Sequence, residues 1–236
     1  MSAPRTAVIL VSGGLDSCVA AAAAERDHDL AFLHISYGQR TERRERAAFE
    51  HIAEHYSVEK RLVVDLQHLR QIGGSSLVDG NQPIPPADAG SAVPSTYVPF
   101  RNANLLAVAV SWAEALGGAE VFIGTHELDA PYPDCSADFL AAFRRSVETG
   151  TRPGSQIGIS APLLHLDKVG IVRLGLELRA PLHRTWSCYH NEIEPCGSCD
   201  SCNLRRRGFA GAGAQDPLLS HRIGSTSQPE ESRPRC

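Results

Sequence analysis

The sequence predicts an α/β protein built on a doubly wound parallel sheet of the Rossmann-like type, with a small cysteine-rich module near its C-terminal end. Three observations support this prediction. Strand-like and helix-like segments alternate, a glycine turn joins the first strand to the first helix, and four cysteines fall within fifteen residues. Strands that alternate with helices form parallel sheets that are covered on both faces. The chain has 236 residues, which is enough to bury a full core.

The predicted strands are short apolar or β-branched runs bounded by polar or glycine residues. They cover residues 6–11, 30–35, 61–64 and 120–124. Helical spacing of apolar residues predicts helices over residues 17–26, 40–56, 102–116, 136–148 and 167–178. A loop is expected over residues 73–99, and its length is typical of a lid, a binding loop or an interface arm.

Composition narrows the function classes. The net charge of −4 gives no general attraction to nucleic acid, and the apolar runs are too short to span a membrane. The start of the chain lacks the basic and apolar regions of a signal peptide, so we expect a cytoplasmic location and reduced cysteines. Residues 215–236 are rich in Ser, Pro, Arg and Glu, which predicts a disordered tail.

The glycine turn is the segment VSGGLDS, directly behind the first strand. Backbone N–H groups and a helix N-terminus at such a turn bind phosphate. Gly13 and Gly14 give the backbone freedom, and Ser12 and Ser17 offer hydroxyls. Asp16 suits a cation ligand or a helix cap. The turn is not a Walker loop, because no lysine precedes the second serine; a plain capped strand–turn–helix is the alternative.

The cysteine cluster predicts a metal site. Its spacing is C-x7-C-x2-C-x2-C, from Cys188, Cys196, Cys199 and Cys202. Four thiolates satisfy the tetrahedral preference of Zn²⁺ and leave no open position, so a structural zinc is expected. An iron–sulfur cluster is the main rival. The basic run at residues 205–207 suits either a nucleic-acid contact or a solvated helix face.

Further segments complete a pattern: YGQR at 37–40, followed by Glu42 and Glu45, YVPFRN at 97–102, YPDC at 132–135, APL at 161–163, LDK at 166–168 and TWSCY at 185–189. Together with the glycine turn and the cysteine cluster, they resemble the 7-cyano-7-deazaguanine synthases of the queuosine pathway over residues 6–209. This family belongs to the PP-loop ATP pyrophosphatases, so the resemblance implies the adenine nucleotide alpha hydrolase type of fold.

The resemblance also implies an activity. An ATP-dependent ligase of this family converts 7-carboxy-7-deazaguanine and ammonia to the nitrile through an adenylated carboxylate and an amide. By resemblance, residues 1–185 form the ATP-binding domain and residues 186–214 a zinc module. Asp16 is then expected near Mg²⁺, Arg101 and Lys168 neutralise charge, and Asn102 and Asp134 read the base. The expected ATP-binding residues are Val11, Ser12, Gly13, Gly14, Leu15 and Ser17.

Simpler roles for these side chains stay open. Arg101 and Asn102 also suit the opening of the following helix, Asp134 the capping of the next helix, and Lys168 an exposed helix face. His34 and His126 follow strands at the expected ligand edge, where a catalytic role is an alternative to packing. A homodimer through the arm at residues 73–99 is also plausible.

The chain departs from the family pattern at its expected substrate side. Phe100 stands where glycine is usual, His126 near a usual asparagine, Ala130-Pro131 for a Ser-Gly pair and Ser136 for arginine. These changes leave two other functions open: a related adenylating ligase that joins a different acid or amine and stops at the amide, and an RNA-modifying or nucleic-acid-binding zinc protein.

Overall fold

The computed structural model of the chain describes residues 5–86, 93–129 and 132–220. The strands in this part are β1 (Arg5–Leu10), β2 (His28–Ser36), β3 (Lys60–Asp65), β4 (Glu120–Phe122) and β5 (Gly158–Ser160). The helices are α1 (Leu15–Glu25), α2 (Glu42–His55), α3 (Gln67–Ile72), α4 (Arg101–Ala115), α5 (Ala137–Gly150), α6 (Lys168–Glu177), α7 (Asp200–Gly211) and α8 (Pro217–Ser220). One-turn 3-10 helices cover Pro133–Cys135 and Leu182–Arg184.

The strands form one parallel sheet in the order β3-β2-β1-β4-β5. The chain moves outward from β1 through β2 to β3, and then returns to the other side of β1 with β4 and β5. The strand order therefore reverses between β1 and β4. In open parallel sheets, a crevice forms at this point outside the carboxyl ends of the strands.

Helices cover both faces of the sheet, which confirms the doubly wound prediction. Because side chains alternate along a strand, Val8 and Leu10 of β1 face α4 and α5, while Ala7 and Ile9 face α1 and α2. The Cys18 side chain of α1 and the Phe49 side chain of α2 lie in this second layer. Helices α1, α6 and α7 share a further buried cluster, composed of Leu15, Val19, Ala20, Leu163, Ile171, Val172, Leu182 and Phe209.

The four predicted strands are present, with bounds shifted by a few residues. Strand β5 and helix α3 were not predicted, because three and six residues respectively carry too little periodicity to be recognised. The expected loop at residues 73–99 contains no helix or strand in its described part, apart from an isolated bridge of Pro86 to Cys199. Residues 87–92 lie outside the described residues.

The C-terminal region corrects two predictions. Arg205 is not part of a solvated helix face: it is buried and pairs with Asp216, the Nε–Oδ2 distance being 2.8 Å. Its guanidinium also donates to Thr185 Oγ1 at 2.7 Å. The disorder expected from residue 215 onward is not found at Asp216 and α8, which belong to the folded structure; residues 221–236 lie outside the described part.

No helix in the described ranges combines the length and the apolar character that crossing a membrane requires.

Gly124, two residues after the end of β4, allows the sheet to pack against the start of α1. A Cβ atom at this position would lie 2.8 Å from the Asp16 carbonyl carbon and 2.9 Å from the Ser17 nitrogen. We expect Gly124→Ala to lower the free energy of unfolding by about 2 kcal/mol or more, because backbone must move. Gly150→Ala, where a Cβ meets nothing within 4 Å, should change it by less than about 0.5 kcal/mol. Urea unfolding measures both, and equal effects would contradict the close approach.

The Arg205–Asp216 pair gives a second prediction. Asp216→Ala leaves the buried Arg205 guanidinium without its carboxylate, so the free energy of unfolding should fall by about 3–5 kcal/mol. The control is Glu192→Ala, which breaks a pair whose arginine, Arg43, is 90% exposed and should cost less than about 1 kcal/mol. Thermal and urea unfolding report both values. A small loss for Asp216→Ala would mean that residues after 214 do not stabilise the fold.

Candidate active site

One cavity lies at the carboxyl edge of the sheet, where the strand order reverses. Its walls come from the turn after β1, the segment after β4, the start of α4, the start of α6 and the cysteine-rich module. Residues far apart in sequence therefore meet around one space. Its polar and charged lining includes Ser12, Asp16, Ser17, Glu45, Arg101, Asn102, His126, Asp129, Lys168, Asp200, Ser201 and Arg205.

The turn between β1 and α1 has the geometry of an anion socket. Gly13 adopts a φ of +89°, and a Cβ there would lie 2.3 Å from the Glu45 carbonyl oxygen of α2. Only glycine fits this position. Gly14 differs from the prediction, because its backbone is extended and needs no special freedom. Its N–H donates to Ser12 Oγ at 3.2 Å, and Ser12 Oγ lies 3.2 Å from Ser17 Oγ, so both hydroxyls converge on the turn.

Asp16, His126 and Lys168 form a charged cluster beside this turn. Lys168 Nζ lies 2.7 and 2.8 Å from the two carboxylate oxygens of Asp16, and His126 Nε2 lies 3.5 Å from Oδ2. Burial on its own raises the pKa of Asp16, but the charges and hydrogen bonds of Lys168 and His126 outweigh it and hold this pKa well below its usual range. Asp16 is therefore an anion at neutral pH, and Lys168 does not lie on an exposed helix face.

Arg101 stands at the first position of α4, among three tyrosines. Its Nη1 donates to the Tyr37 hydroxyl at 3.1 Å, and its guanidinium lies 5.6 Å from the centre of the Tyr37 ring. Burial raises the pKa of Tyr37, Tyr132 and Tyr189, so these hydroxyls stay protonated at neutral pH. Because the surrounding tyrosines are neutral, the Arg101 guanidinium is a cation that an anionic ligand in this part of the cavity can contact.

Asp134 is placed differently from its predicted role. Its Oδ2 accepts the backbone N–H of Asn102 at 2.8 Å, and it does not line the cavity. It therefore caps α4 in this structure, and a role in reading a base stays a prediction. Asn102 does line the cavity, but its side-chain amide donates to the Asp134 carbonyl at 3.1 Å and to Cys135 Sγ at 3.2 Å. Both residues position the start of α4, because the first N–H groups of a helix need acceptors.

The four predicted cysteines come together. Their sulfur atoms all lie within 4.8 Å of one another, and Cys196 and Cys202 are 4.0 Å apart. A zinc ion with four sulfurs at about 2.3 Å separates them by about 3.8 Å, so a metal ion fits this donor set with little movement. The N–H groups of residues 190, 191 and 196 donate to Cys188 Sγ at 3.3–3.4 Å. Hydrogen bonds from Cys199 and Cys202 also lower the pKa of the Cys188 thiol, as suits a thiolate ligand.

The cysteine-rich module also forms part of the cavity wall, which sequence reasoning missed. Tyr189 follows the first cysteine, and Asp200 and Ser201 lie in the first turn of α7, between the third and fourth cysteines. Burial raises the pKa of Tyr132 and Tyr189, and the Asp200 carboxylate near both rings adds to the shift. The sequence could have indicated this role, because Tyr189, Asp200 and Ser201 lie between the first and the last of the four cysteines.

The described departures from the family pattern are mostly outside the cavity. Phe100 has a φ of +55°, a conformation that favours glycine. The residue is 59% exposed, and its ring contacts the Phe139 ring edge to face. Ser136 caps α5, accepting the Phe139 N–H at 3.2 Å. His126 lines the cavity. Residues 130 and 131 lie outside the described residues.

His34 lies under the sheet edge rather than in the cavity. Its Nδ1 is 3.0 Å from the Val11 carbonyl oxygen, and its ring packs against Phe49. Burial lowers the pKa of His34 to about 4, so the ring is neutral at neutral pH and Nδ1 donates. It ties β2 to the end of β1, and the geometry gives it no contact with a ligand.

Comparison with known proteins identifies relatives along nearly the whole chain. The family model described as "Queuosine biosynthesis protein QueC" matches residues 6–213. Proteins named 7-cyano-7-deazaguanine synthase from Chlorobaculum tepidum and Chlorobaculum parvum are 51% and 50% identical, each over 90% of this chain and 95% of the relative. A crystal structure of an NAD+ synthetase from Burkholderia pseudomallei aligns with a TM-score of 0.41 and 18% identity, over 93% of this chain and 78% of that chain.

The cysteine cluster predicts metal-dependent stability. We expect one bound metal ion per chain by elemental analysis, and we expect Cys196→Ser to lose it and to lower the unfolding temperature. Chelation of the wild type should have the same effect, since ligand-bound metal contributes folding free energy. Cys135→Ala removes a buried thiol outside the cluster and should keep the ion. Metal loss in both variants would contradict the assigned ligand set.

Proposed function

Because the chain belongs to the family of the queuosine biosynthesis protein QueC, we propose that it is a 7-cyano-7-deazaguanine synthase, the activity for which its relatives are named. The observation that carries this proposal is the single cavity in which the glycine turn, the Asp16–Lys168 cluster and Arg101 meet. An anion socket beside a second binding space suits a reaction that joins a carboxylate to the α-phosphate of ATP.

The reaction proceeds in two ATP-dependent stages. The carboxylate of 7-carboxy-7-deazaguanine attacks the α-phosphate, which releases pyrophosphate and leaves an acyl adenylate. Ammonia then displaces AMP, loses a proton and forms the amide. In the second stage the amide oxygen attacks the α-phosphate of another ATP and releases a second pyrophosphate; loss of AMP and of the two nitrogen-bound protons then leaves the nitrile. The adenylate supplies the reactivity, so the protein positions the groups and stabilises charge.

The glycine turn is assigned to the phosphates. The N-terminal N–H groups of α1 and the hydroxyls of Ser12 and Ser17 face the space in front of the turn, with Gly13 and Gly14 between them. Val11 and Leu15 form its apolar margins. Oriented N–H groups and the positive end of a helix dipole stabilise the charge that develops on the transferred phosphate.

Asp16 and Lys168 are assigned complementary roles. Asp16 is the carboxylate suited to hold Mg²⁺, which when bound with ATP neutralises phosphate charge. Lys168, whose ammonium contacts the Asp16 carboxylate at 2.7 Å, would be available to a phosphate oxygen if Asp16 held the metal ion. Arg101 provides the second cation, on the tyrosine side, where the substrate carboxylate approaches.

We assign the cysteine cluster to a structural zinc ion, since four thiolates leave no open coordination position. Ammonia is the proposed nitrogen donor, and no nucleic acid is required for turnover. The related ligase that stops at the amide is less well supported, because Phe100 and Ser136 do not line the cavity. A homodimer through residues 73–99 stays a prediction from the sequence.

Mass spectrometry of the products tests the proposal. The metal-loaded protein with ATP, Mg²⁺, ammonium and 7-carboxy-7-deazaguanine should form the nitrile, AMP and pyrophosphate. Lys168→Met should lower kcat/KM by at least about 100-fold, since it removes a charge next to the transferred phosphate. The control Lys60→Met changes an exposed lysine at the start of β3 and should leave kcat/KM unchanged. Amide without nitrile would favour the related ligase, and no ATP turnover would overturn both.

A further inference from the structure

The segment that follows β4 contacts both members of the Asp16–Lys168 pair, which are 152 residues apart in the chain. We call residues 124–129 the bridging segment. At its start, a Cβ atom on Gly124 would lie 2.8 Å from the Asp16 carbonyl carbon, so the two backbones touch. At its end, Asp129 Oδ2 accepts the backbone N–H of Lys168 at 2.6 Å. One short segment therefore contacts the main chain at both charged residues.

The bridging segment is itself fixed by hydrogen bonds to its neighbours. The Glu127 N–H donates to the Leu164 carbonyl at 3.1 Å, and Glu127 Oε2 accepts the N–H of Ala137 at 3.1 Å. In the middle of the segment, His126 Nε2 lies 3.5 Å from the carboxylate and 3.4 Å from the ammonium of the pair. The segment is thus a defined support for the pair, in contact with its side chains as well as its main chain.

The bond from Asp129 matters because of where Lys168 lies in its helix. Lys168 is the first residue of α6, and the first N–H groups of a helix have no acceptor within the helix. Helix ends fray, and the lysine side chain is flexible, so the position of its ammonium depends on how firmly its main chain is held. Asp129 supplies the missing acceptor from outside the helix.

A second aspartate stabilises the same turn of α6 without contacting the lysine. Asp167 is the N-cap residue, and its Oδ1 accepts the Gly170 N–H at 2.7 Å. Asp129 and Lys168 line the cavity, whereas Asp167 does not. The two aspartates therefore allow the stability of the helix start to be separated from the position of Lys168.

We propose that Asp129 is a positioning residue: its carboxylate fixes the Lys168 main chain so that the ammonium reaches the transferred phosphate, and the bridging segment sets the separation of Asp16 and Lys168. This proposal rests on the proposed function, because that function assigns Lys168 to a phosphate oxygen. The role requires a hydrogen-bond acceptor and not a negative charge. An asparagine side chain, whose oxygen also accepts, can therefore replace the carboxylate.

The test combines three variants in the nitrile-forming assay. Asp129→Ala should lower kcat by about 10- to 100-fold, because a displacement of about 1 Å of a group that stabilises charge has an effect of this size. The KM for ATP should stay near the wild-type value. Asp129→Asn should recover most of the loss. In the double variant with Lys168→Met, Asp129→Ala should add little to the loss caused by Lys168→Met alone, since it acts through the lysine.

The matched control is Asp167→Ala, which removes the other side-chain acceptor at the start of the same helix. The loss of an N-cap should lower the unfolding temperature, but it should leave kcat at the wild-type value. Unfolding temperature is measured for every variant, so that a general loss of stability is recognised.

The outcomes separate this proposal from the proposed function. If Asp129→Ala and Asp167→Ala lower kcat alike, the helix start matters and not the lysine. If Asp129→Asn is as defective as Asp129→Ala, the negative charge itself is needed. If the losses multiply in the double variant, Asp129 acts independently of Lys168. Each result overturns the positioning role while the proposed function stands. If wild type forms no nitrile, the proposed function fails and this proposal fails with it.

Discussion

The close packing of backbone around the turn after β1 is the constraint on which the rest of the structure depends. Gly13 lies against the Glu45 carbonyl of α2, and its own carbonyl accepts the Trp186 N–H at 2.9 Å. Gly124 brings the end of β4 against the backbone of Asp16. The turn is thus held by three segments that are distant in sequence. Each contact leaves no room for a Cβ atom or uses a main-chain hydrogen bond, so the turn has one conformation before any ligand arrives.

The features that could be predicted from the sequence are those whose residues lie close together in the chain. The glycine turn and the cysteine cluster were recognisable because their residues are neighbours in the chain, and the structure brings each set together. The sheet order agrees with the doubly wound prediction, because strand and helix periodicities repeat along the chain. Arg205 was interpreted wrongly because its partner, Asp216, is set by tertiary packing and not by spacing. The contact of Asp134 with Asn102 depends on tertiary packing in the same way.

The C-terminal module both restrains the neighbouring chain and forms part of the cavity wall. Its cysteines hold a metal-ready cluster, and Cys188 follows Trp186 by two residues, so the cluster also restrains the segment that contacts the glycine turn. The same module carries Tyr189 and Asp200 into the cavity wall. Buried Arg205 links the two, since its guanidinium binds Thr185, Ser187 and Asp216. The module therefore combines buried charge pairing with a cysteine cluster that would add folding free energy on binding a metal ion.

The Asp16–Lys168 contact makes the resting socket electrically balanced. A bare cation or a bare phosphate gains little there, because each would have to displace an opposite charge that is already satisfied at short distance. A ligand that carries a cation together with an anion would instead let Asp16 and Lys168 each exchange one charged partner for another, with little net change in electrostatic energy. The ion pair therefore disfavours single ions at the turn and favours ligands that bring their own counterion.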